Sequence, residues 1–331
     1  MTETLTRPEL RQLGESELKI APMVFGGAVF GWTCDAAMSH RLLDAFTDRG
    51  FNCVDTADLY SFWLPGNKGG ESETILGDWI AKGNRDRIVL ATKCGSPRTP
   101  GGGGLSKAHI LKTVEESLAR LKTDHIDLYQ AHRDDLLTRP EEMLGAYDQL
   151  IREGKVRYIG ASNFLAPRLK QMLDFAEENG LPRFQTLQPN YNLYDRSDFE
   201  WGYEGSLEQL CHDRKVSVIS YFSLASGFLT GKYRTEADLA RNRARGGDVE
   251  KYLNPRGFRI LAALDRAAAR TGATQAQIAL AWAMAQRTVA APITSATSMA
   301  QLEDLFGAAE LALDSETLAD LDKASGNPSV N

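Results

Sequence analysis

Four side chains, Asp55, Tyr60, Lys93 and His132, are of the types that together can move a proton onto or off an oxygen. A phenol ionises at about pH 10, too high to share its proton readily at neutral pH. An ammonium beside it stabilises the phenolate and lowers that value. A carboxylate behind the ammonium holds it in position. On this reading Tyr60 is a general acid, Lys93 tunes it and Asp55 anchors Lys93. His132 would donate to the same substrate oxygen and orient it. Taken singly, each has a plainer role. An aspartate after a strand caps a turn, a strand lysine snorkels to solvent, and a lone histidine is structural. The chemical reading needs an element order that brings the four to one place.

Short apolar runs supply that order. They fall at 23–27, 51–56, 87–93, 126–132, 156–162, 184–192, 216–222 and 289–294. Amphipathic segments such as 106–122, with Ser106 as an N-cap, and 140–155 lie between them. Strands alternating with helices imply a parallel sheet with crossovers, and eight such units close into an α/β fold of the (β/α)8 TIM barrel type. Active sites in these barrels form at the C-terminal strand ends. Asp55, Thr56, Asp58 and Tyr60 follow the second run, Lys93 ends the third and His132 the fourth. Ser162 and Asn163 follow the fifth, Gln188 and Asn190 the sixth, and Tyr221 the seventh. Residues 10–21 read as a hairpin around Gly14 that caps the barrel bottom. The charged, Gly-containing stretch 232–257 follows the seventh run and reads as a mobile lid at the opposite rim.

With 43% hydrophobic and 25% charged residues, the 331-residue chain has the composition and length of one barrel domain spanning 1–331. A net charge of −6 argues against a nucleic-acid partner, which would want a basic face. No apolar stretch approaches the roughly 18 residues of a membrane span. The opening MTETLTRPELRQLG has no apolar core of a secretory signal, so a cytoplasmic protein without a membrane partner is expected. Cys34, Cys53, Cys94 and Cys211 form no Cys-x-x-Cys pair, and Cys53 and Cys94, inside apolar runs, read as buried thiols. His40, His109, His125, His132 and His212 are not spaced as metal ligands, so no metal site is expected. A glycosidase would use two carboxylates rather than a phenol and an amine.

The runs DTADLY (55–60), ATK (91–93), DLYQAH (127–132), GASNF (160–164), LQPNYN (187–192) and SGFLTGKY (226–233), in this order, resemble the aldo-keto reductase superfamily. The likeness is to its bacterial-type members and the branch that includes potassium-channel β-subunit-like proteins, and it covers about residues 10–325. It implies that Asp55, Tyr60, Lys93 and His132 are a catalytic tetrad for carbonyl–alcohol interconversion by hydride transfer. It further implies a nicotinamide dinucleotide extended across the mouth without a Gly-x-Gly-x-x-Gly motif, which is absent here. Ser162, Asn163 and Gln188 match the positions that hold the nicotinamide carboxamide, and Tyr221 the aromatic that stacks on its ring. Leu224, Ser226, Gly227 and Lys232 match the pyrophosphate loop. Gly27 and Ala28 match the first loop beside the nicotinamide, with Asp55 also near the cofactor.

There are departures. Phe222 stands in the cofactor loop where a small residue is common, and Ser223 where proline is common. Arg133-Asp134-Asp135 follows His132 where an aromatic and a proline are common, which would alter the substrate rim. The last loop has no Lys or Arg and offers only Ser295, Thr297, Ser298 and Gln301 to the adenosine end. A 2′-phosphate would then draw on a lid arginine, with Arg241, Arg243 and Arg245 as candidates. NADP(H) is the expected cofactor and NAD(H) the alternative. Phe30, Trp32 and Trp63, with Arg133, are the expected substrate contacts, with Phe62 and Trp201 nearby. The expected substrate is a small-molecule aldehyde, ketone or alcohol; the sequence assigns no oligomeric state. The alternative function is a cofactor-sensing regulatory subunit with slow or no turnover.

Overall fold

The computed structural model describes residues 7–98, 102–202, 205–241 and 246–326. Its centre is a closed barrel of eight parallel strands. They are β3 (Val24–Gly26), β4 (Cys53–Asp55), β5 (Val89–Cys94), β6 (Ile126–Ala131), β7 (Val156–Ser162), β8 (Phe184–Gln188), β9 (Ser217–Ser220) and β10 (Val289–Thr294). Each neighbours the next in chain order, and β10 pairs back onto β3. Each of the eight expected runs holds a strand, the third continuing one residue further to Cys94. The sixth stops at Gln188 because Pro189 has no N–H to give the ladder.

Period-two alternation divides each strand between two environments. Cys53, Ala91, Leu128 and Ile219 point inward and form one apolar cluster with Val24, Ala290 and Ala291. Val54, Leu90, Tyr129 and Ile159 point outward into the larger cluster shared with the helices. Counting two from Cys53, Ala91 and Leu128 places Asp55, Lys93 and Gln130 on the interior face, one layer above the apolar floor. Register then sets Lys93 beside Gln130 and Ser162 beside Gln188.

The floor is closed by the expected hairpin, β1 (Arg11–Gln12) paired antiparallel with β2 (Lys19–Ile20). Its Leu13, Leu18 and Ile20 complete the inner cluster. Its tip docks on the N-terminal ends of β8 and β9: Gly14 N–H donates to Ser217 Oγ and Glu15 N–H to Gln185 Oε1, both at 2.8 Å. Gly14 has φ +58°, and a Cβ there would stand 2.6 Å from the Gln185 carbonyl oxygen. Only glycine meets both conditions.

The surrounding helices are α1 (Ala36–Asp48), α2 (Glu71–Trp79), α3 (Lys107–Leu121), α4 (Pro140–Arg152), α5 (Ala166–Glu178), α6 (Ser197–Glu200) and α7 (Leu207–Asp213). After β9 come α8 (Gly246–Val249), α9 (Pro255–Thr271) and α10 (Gln275–Met284), and after β10 come α11 (Met299–Glu310) and α12 (Ser315–Ser325). Ser106 caps α3 as expected, its Oγ accepting from His109 N–H. The stretch 232–257 is not the bare loop its charge suggested. It contains turns at Glu236–Arg241 and Glu250–Tyr252 as well as α8, and its last residues open α9. Tyr233, Val249 and Tyr252 are buried, and the Tyr252 ring stacks on Phe228, so apolar side chains anchor it to the core.

Helix α2 is clamped to its neighbours by Glu73, which has no exposed surface. Its carboxylate accepts from Thr92 Oγ1 of β5 at 2.6 Å and from Arg120 Nε of α3 at 2.7 Å. Close approach of the two helices depends on Gly77, where a Cβ would stand 2.1 Å from the Arg120 carbonyl oxygen. Gly77→Ala should therefore lose about 1–3 kcal/mol to overpacking, more than the ~1 kcal/mol that alanine gains in helix propensity. Urea unfolding checks this: a midpoint equal to or above that of the wild type would show that α2 and α3 can separate at little cost.

Candidate active site

Lys93 is the centre of the site. Its side chain is fully buried, and its Nζ donates to Asp55 Oδ2 at 2.7 Å, to the Thr56 carbonyl oxygen at 2.7 Å and to Tyr60 Oη at 2.9 Å. An ammonium has three N–H donors, and all are used. Burial alone would push the Lys93 pKa down. Asp55 and Tyr60 more than offset this and hold it above the ordinary lysine value. The other Asp55 oxygen, Oδ1, accepts from Gln130 Nε2 at 3.1 Å and Gln188 Nε2 at 2.9 Å.

Tyr60 lies on a turn after β4. Asp58 N–H donates to the Lys93 carbonyl oxygen at 3.1 Å and Tyr60 N–H to the Ala57 carbonyl oxygen at 3.2 Å, which returns the phenol over β5. Its ring lies 6.1 Å from Trp63 and 6.0 Å from His132, edge-on to both. The expectation that Lys93 lowers the Tyr60 pKa is met only as an opposing contribution. Burial dominates and pushes the phenol above its ordinary value, with Asp55 and Asp58 adding to the rise.

His132 follows β6, its N–H donating to the Cys94 carbonyl oxygen at 2.8 Å. Burial, then the charges of Lys93, Arg133 and Arg98, push its imidazole well below the ordinary value. The ring is neutral at neutral pH. Its Nδ1 is buried, with no hydrogen-bond partner among the described residues.

The residues expected to surround a nicotinamide are joined to this centre and to one another. Ser162 Oγ donates to the Gln188 carbonyl oxygen at 2.8 Å, Asn163 Nδ2 to the His132 carbonyl oxygen at 3.0 Å, and Tyr221 Oη to Asn163 Oδ1 at 2.7 Å. Gln188 differs from expectation in that its amide nitrogen is committed to Asp55. Gly27 also has a packing reason to be bare, since Ser72 Oγ at 3.0 Å and the Asp55 carbonyl oxygen at 3.1 Å would confront a Cβ. Ala28 beside it is half-buried.

The loop after β9 is strained. Phe222, Ala225 and Ser226 all have positive φ (52°, 48° and 55°), and Gly227 follows at 94°. Non-glycine residues there cost about 1–3 kcal/mol each and concentrate at functional sites. Leu224 is half-buried within this loop. A Cβ on Gly227 would lie 3.2 Å from Lys232 Nζ, so the ammonium lies over the bare glycine. In the last loop Ser295 Oγ donates to the Gly26 carbonyl oxygen at 2.6 Å, and Thr297 donates through both N–H and hydroxyl to Gln301 Oε1. Ser298 caps α11. Arg243 and Arg245 lie outside the described residues.

Among the expected substrate contacts, Trp32 and Trp63 pack edge-on at 5.4 Å, and Trp63 is 39% exposed. Arg133 is exposed. Phe30 is a correction: its side chain has no exposed surface and its ring stacks on Phe25 in the core. The turn at Gly27–Val29 carries it back into the barrel wall, away from the mouth. Gln130 was not anticipated, although its place two residues before His132 on the strand was a usable signal. Asp58 is the other surprise. Its carboxyl is buried, and burial, then the neighbouring Glu73, push its pKa up to about 7. Among the described residues, no group of three or more His, Cys, Asp or Glu side chains is placed to hold a metal ion. No described helix is long and apolar enough to cross a membrane.

The Aldo/keto reductase family model matches residues 22–325. The chain is 34% identical over 319 residues to "Uncharacterized oxidoreductase YrpG" of Bacillus subtilis, covering 94% of each chain. It is 30% identical over 339 residues to "Protein tas" of Escherichia coli, covering 95% of this chain and 96% of that one. It is 33% identical over 313 residues to "Aldo-keto reductase YhdN" of Bacillus subtilis, covering 92% of this chain and 88% of that one.

The Asp58 carboxyl makes stability depend on pH. An unfolded aspartate ionises near pH 4 (about 3.9), whereas in the fold Asp58 keeps its proton to about pH 7. Between those values the folded state binds more protons, so its contribution falls by about 1.4 kcal/mol per pH unit and is lost above pH 7. Asp58→Asn removes that slope. The variant should gain on the wild type from pH 4.5 to pH 7 in urea unfolding and hold its advantage at pH 8. A difference independent of pH would mean that Asp58 ionises normally in the fold.

Proposed function

The chain belongs to the aldo/keto reductase family, and from that premise we propose that it interconverts a small-molecule carbonyl and its alcohol using NADP(H), with Tyr60 as the proton donor and acceptor. The observation that carries this reading is the buried chain Asp55–Lys93–Tyr60, with links of 2.7 and 2.9 Å. Because Lys93 donates to Tyr60 Oη, the phenol's own proton is free to point elsewhere. We take the whole chain as one catalytic unit.

The residues present suit a nicotinamide dinucleotide. Lys232 over the bare Gly227 suits a pyrophosphate. Tyr221, held by Asn163, offers a fixed aromatic face. When bound, the reduced dinucleotide supplies the hydride that the carbonyl carbon receives. The protein handles the proton. Tyr60 gives its hydroxyl proton to the carbonyl oxygen, and Lys93 stabilises the phenolate left behind without losing a proton of its own. The neutral His132 donates from its Nε2 tautomer to the same oxygen, leaving the unpartnered Nδ1 as a bare lone pair. That is cheaper than burying an unpaired N–H. In the alcohol-to-carbonyl direction the proton returns to Tyr60.

A 2′-phosphate carries roughly two negative charges, and the last loop answers it only with hydroxyls and an amide. We assign the missing cation to Arg243 of the 232–257 stretch. Titration by tryptophan quenching should then show tighter binding of NADPH than NADH. The preference should shrink in high salt and in Arg243→Ala. Tighter NADH binding by the wild type would reverse the assignment.

Tyr60→Phe tests the catalytic reading. It should lose roughly 10²–10⁴-fold in kcat with the NADPH Kd little changed. Near-normal turnover of an aldehyde by the variant would remove Tyr60 from the role. Absence of turnover by the wild type across a panel of aldehydes and ketones would favour the regulatory-subunit alternative.

A further inference from the structure

The floor of the mouth is electrically closed, because Lys93 is paired with Asp55. Its rim is not. Arg98, in the loop after β5, and Arg133, in the loop after β6, are both exposed. Neither guanidinium has an ion pair or hydrogen bond among the described residues, whereas Arg85, Arg120, Arg168 and Arg196 are each held by a carboxylate. Of the acids on the same loops, Asp134 is ion-paired, and the Asp135 carboxylate is turned to neutral donors rather than to either arginine. Asp134 is bound by Arg168 at 3.1 Å. Asp135 accepts from Leu105 N–H, Leu137 N–H and Thr138 Oγ1 at 2.7–3.0 Å.

The two loops are built as one surface. The Leu105–Asp135 bond ties them together at 2.8 Å. The far arm of the first loop folds onto its near arm, where a Cβ on Gly103 would stand 2.1 Å from the Ser96 carbonyl oxygen. Both arginines lie near enough to the site to bear on the same two rings. After burial and Lys93, they hold the His132 imidazole down. On Tyr221, where burial raises the phenol, they oppose the rise.

Their place in the ring separates them from a dinucleotide. In the closed order β10-β3-β4-β5-β6-β7-β8-β9, the β5–β6 edge lies diametrically opposite the β9–β10 edge. The strained loop with Lys232 and the last loop with Ser295 and Gln301 follow β9 and β10. Resting on the hydride-transfer reading above, we propose that Arg98 and Arg133 select carbonyl substrates that carry an oxyanion, a carboxylate or a phosphate ester, on the side away from the reacting carbon. A guanidinium fork matches either group through paired N–H donors, and unneutralised charge at a cleft rim raises the local concentration of anions.

The test uses 4-formylbenzoate, 4-formylphenyl phosphate and neutral 4-formylbenzamide with NADPH and the full chain. At low ionic strength kcat/KM for at least one anion should exceed that for the amide by about tenfold or more, and the ratio should shrink as salt is added. The anion with the larger ratio identifies the natural group. In the double variant Arg98→Ala/Arg133→Ala the ratio should fall to about one, while Arg133→Lys should keep more of it than Arg133→Ala. Because each ratio is taken within one protein, partial misfolding does not alter it. Equal kcat/KM values in the wild type, or a ratio that survives the double variant, overturn the proposal while leaving the reductase reading intact. If the wild type turns over none of the three, the reductase reading is decided by the wider panel of aldehydes and ketones and the rim arginines by binding. The same compounds are then compared by tryptophan quenching: anion-selective binding lost in the double variant sustains the proposal, and equal affinities overturn it.

Discussion

An ammonium sealed inside a barrel must have every proton met. Lys93 has no exposed surface, and its three donors reach Asp55, the Thr56 carbonyl and Tyr60. Each partner creates a further demand. Asp55, itself buried, has a second oxygen that must be satisfied, and the amides of Gln130 and Gln188 do so. One charge thereby fixes side chains on β4, β5, β6 and β8. A register slip of one residue in any of these strands would turn its member of the set to the outside. Such a buried pair is weak evidence of net stabilisation, because desolvation offsets much of the attraction. Its structural effect is to make one arrangement of the strands far better than its neighbours.

The apolar surface beneath that layer supplies the driving force. Cys53, Ala91, Leu128, Ile219 and the hairpin residues Leu13, Leu18 and Ile20 fill the lower barrel. Water is thus excluded from below the polar layer as well as from its sides. The low dielectric that results explains why burial heads the causes of the displaced pKa values at Tyr60, His132 and Asp58.

Much of this was legible in the sequence because it depends on alternation. Asp55 and Lys93 stand at the ends of their strands, where the sequence already places the mouth, while Gln130 follows only by counting two from Leu128 and is not among the residues the sequence reading singles out. Ser106 as a cap and Gly14 as a turn residue are equally local. What could not be read depends on where a chain goes after its strand. Phe30 follows β3 as an aromatic at the rim should, but the turn at Gly27–Val29 sends it into the core. The stretch 232–257 looks like a solvated loop by charge, while its placement is decided by Tyr233, Val249 and Tyr252. The direction of the Tyr60 shift escapes the sequence for a related reason. The sequence shows that an ammonium is near, and only the packed structure shows how completely the phenol loses water.

That direction bears on the sense in which the site is poised. A phenol held above its ordinary pKa beside an ammonium that keeps its own proton is, at neutral pH, a loaded acid. In the proposed reaction this suits carbonyl reduction, where the proton must be present before the carbonyl arrives. Alcohol oxidation needs the phenolate, which burial and the nearby carboxylates Asp55 and Asp58 disfavour. A neutral His132 fits the same sense, since it can donate to a carbonyl oxygen without adding a second positive charge beside Lys93. An imidazolium there would compete with Lys93 for the developing negative charge and repel it. The groups that keep His132 neutral are burial, Lys93 and the two rim arginines. Charge at the rim thus affects two things at once: which molecules are drawn to the mouth, and the protonation of the residue that would receive them.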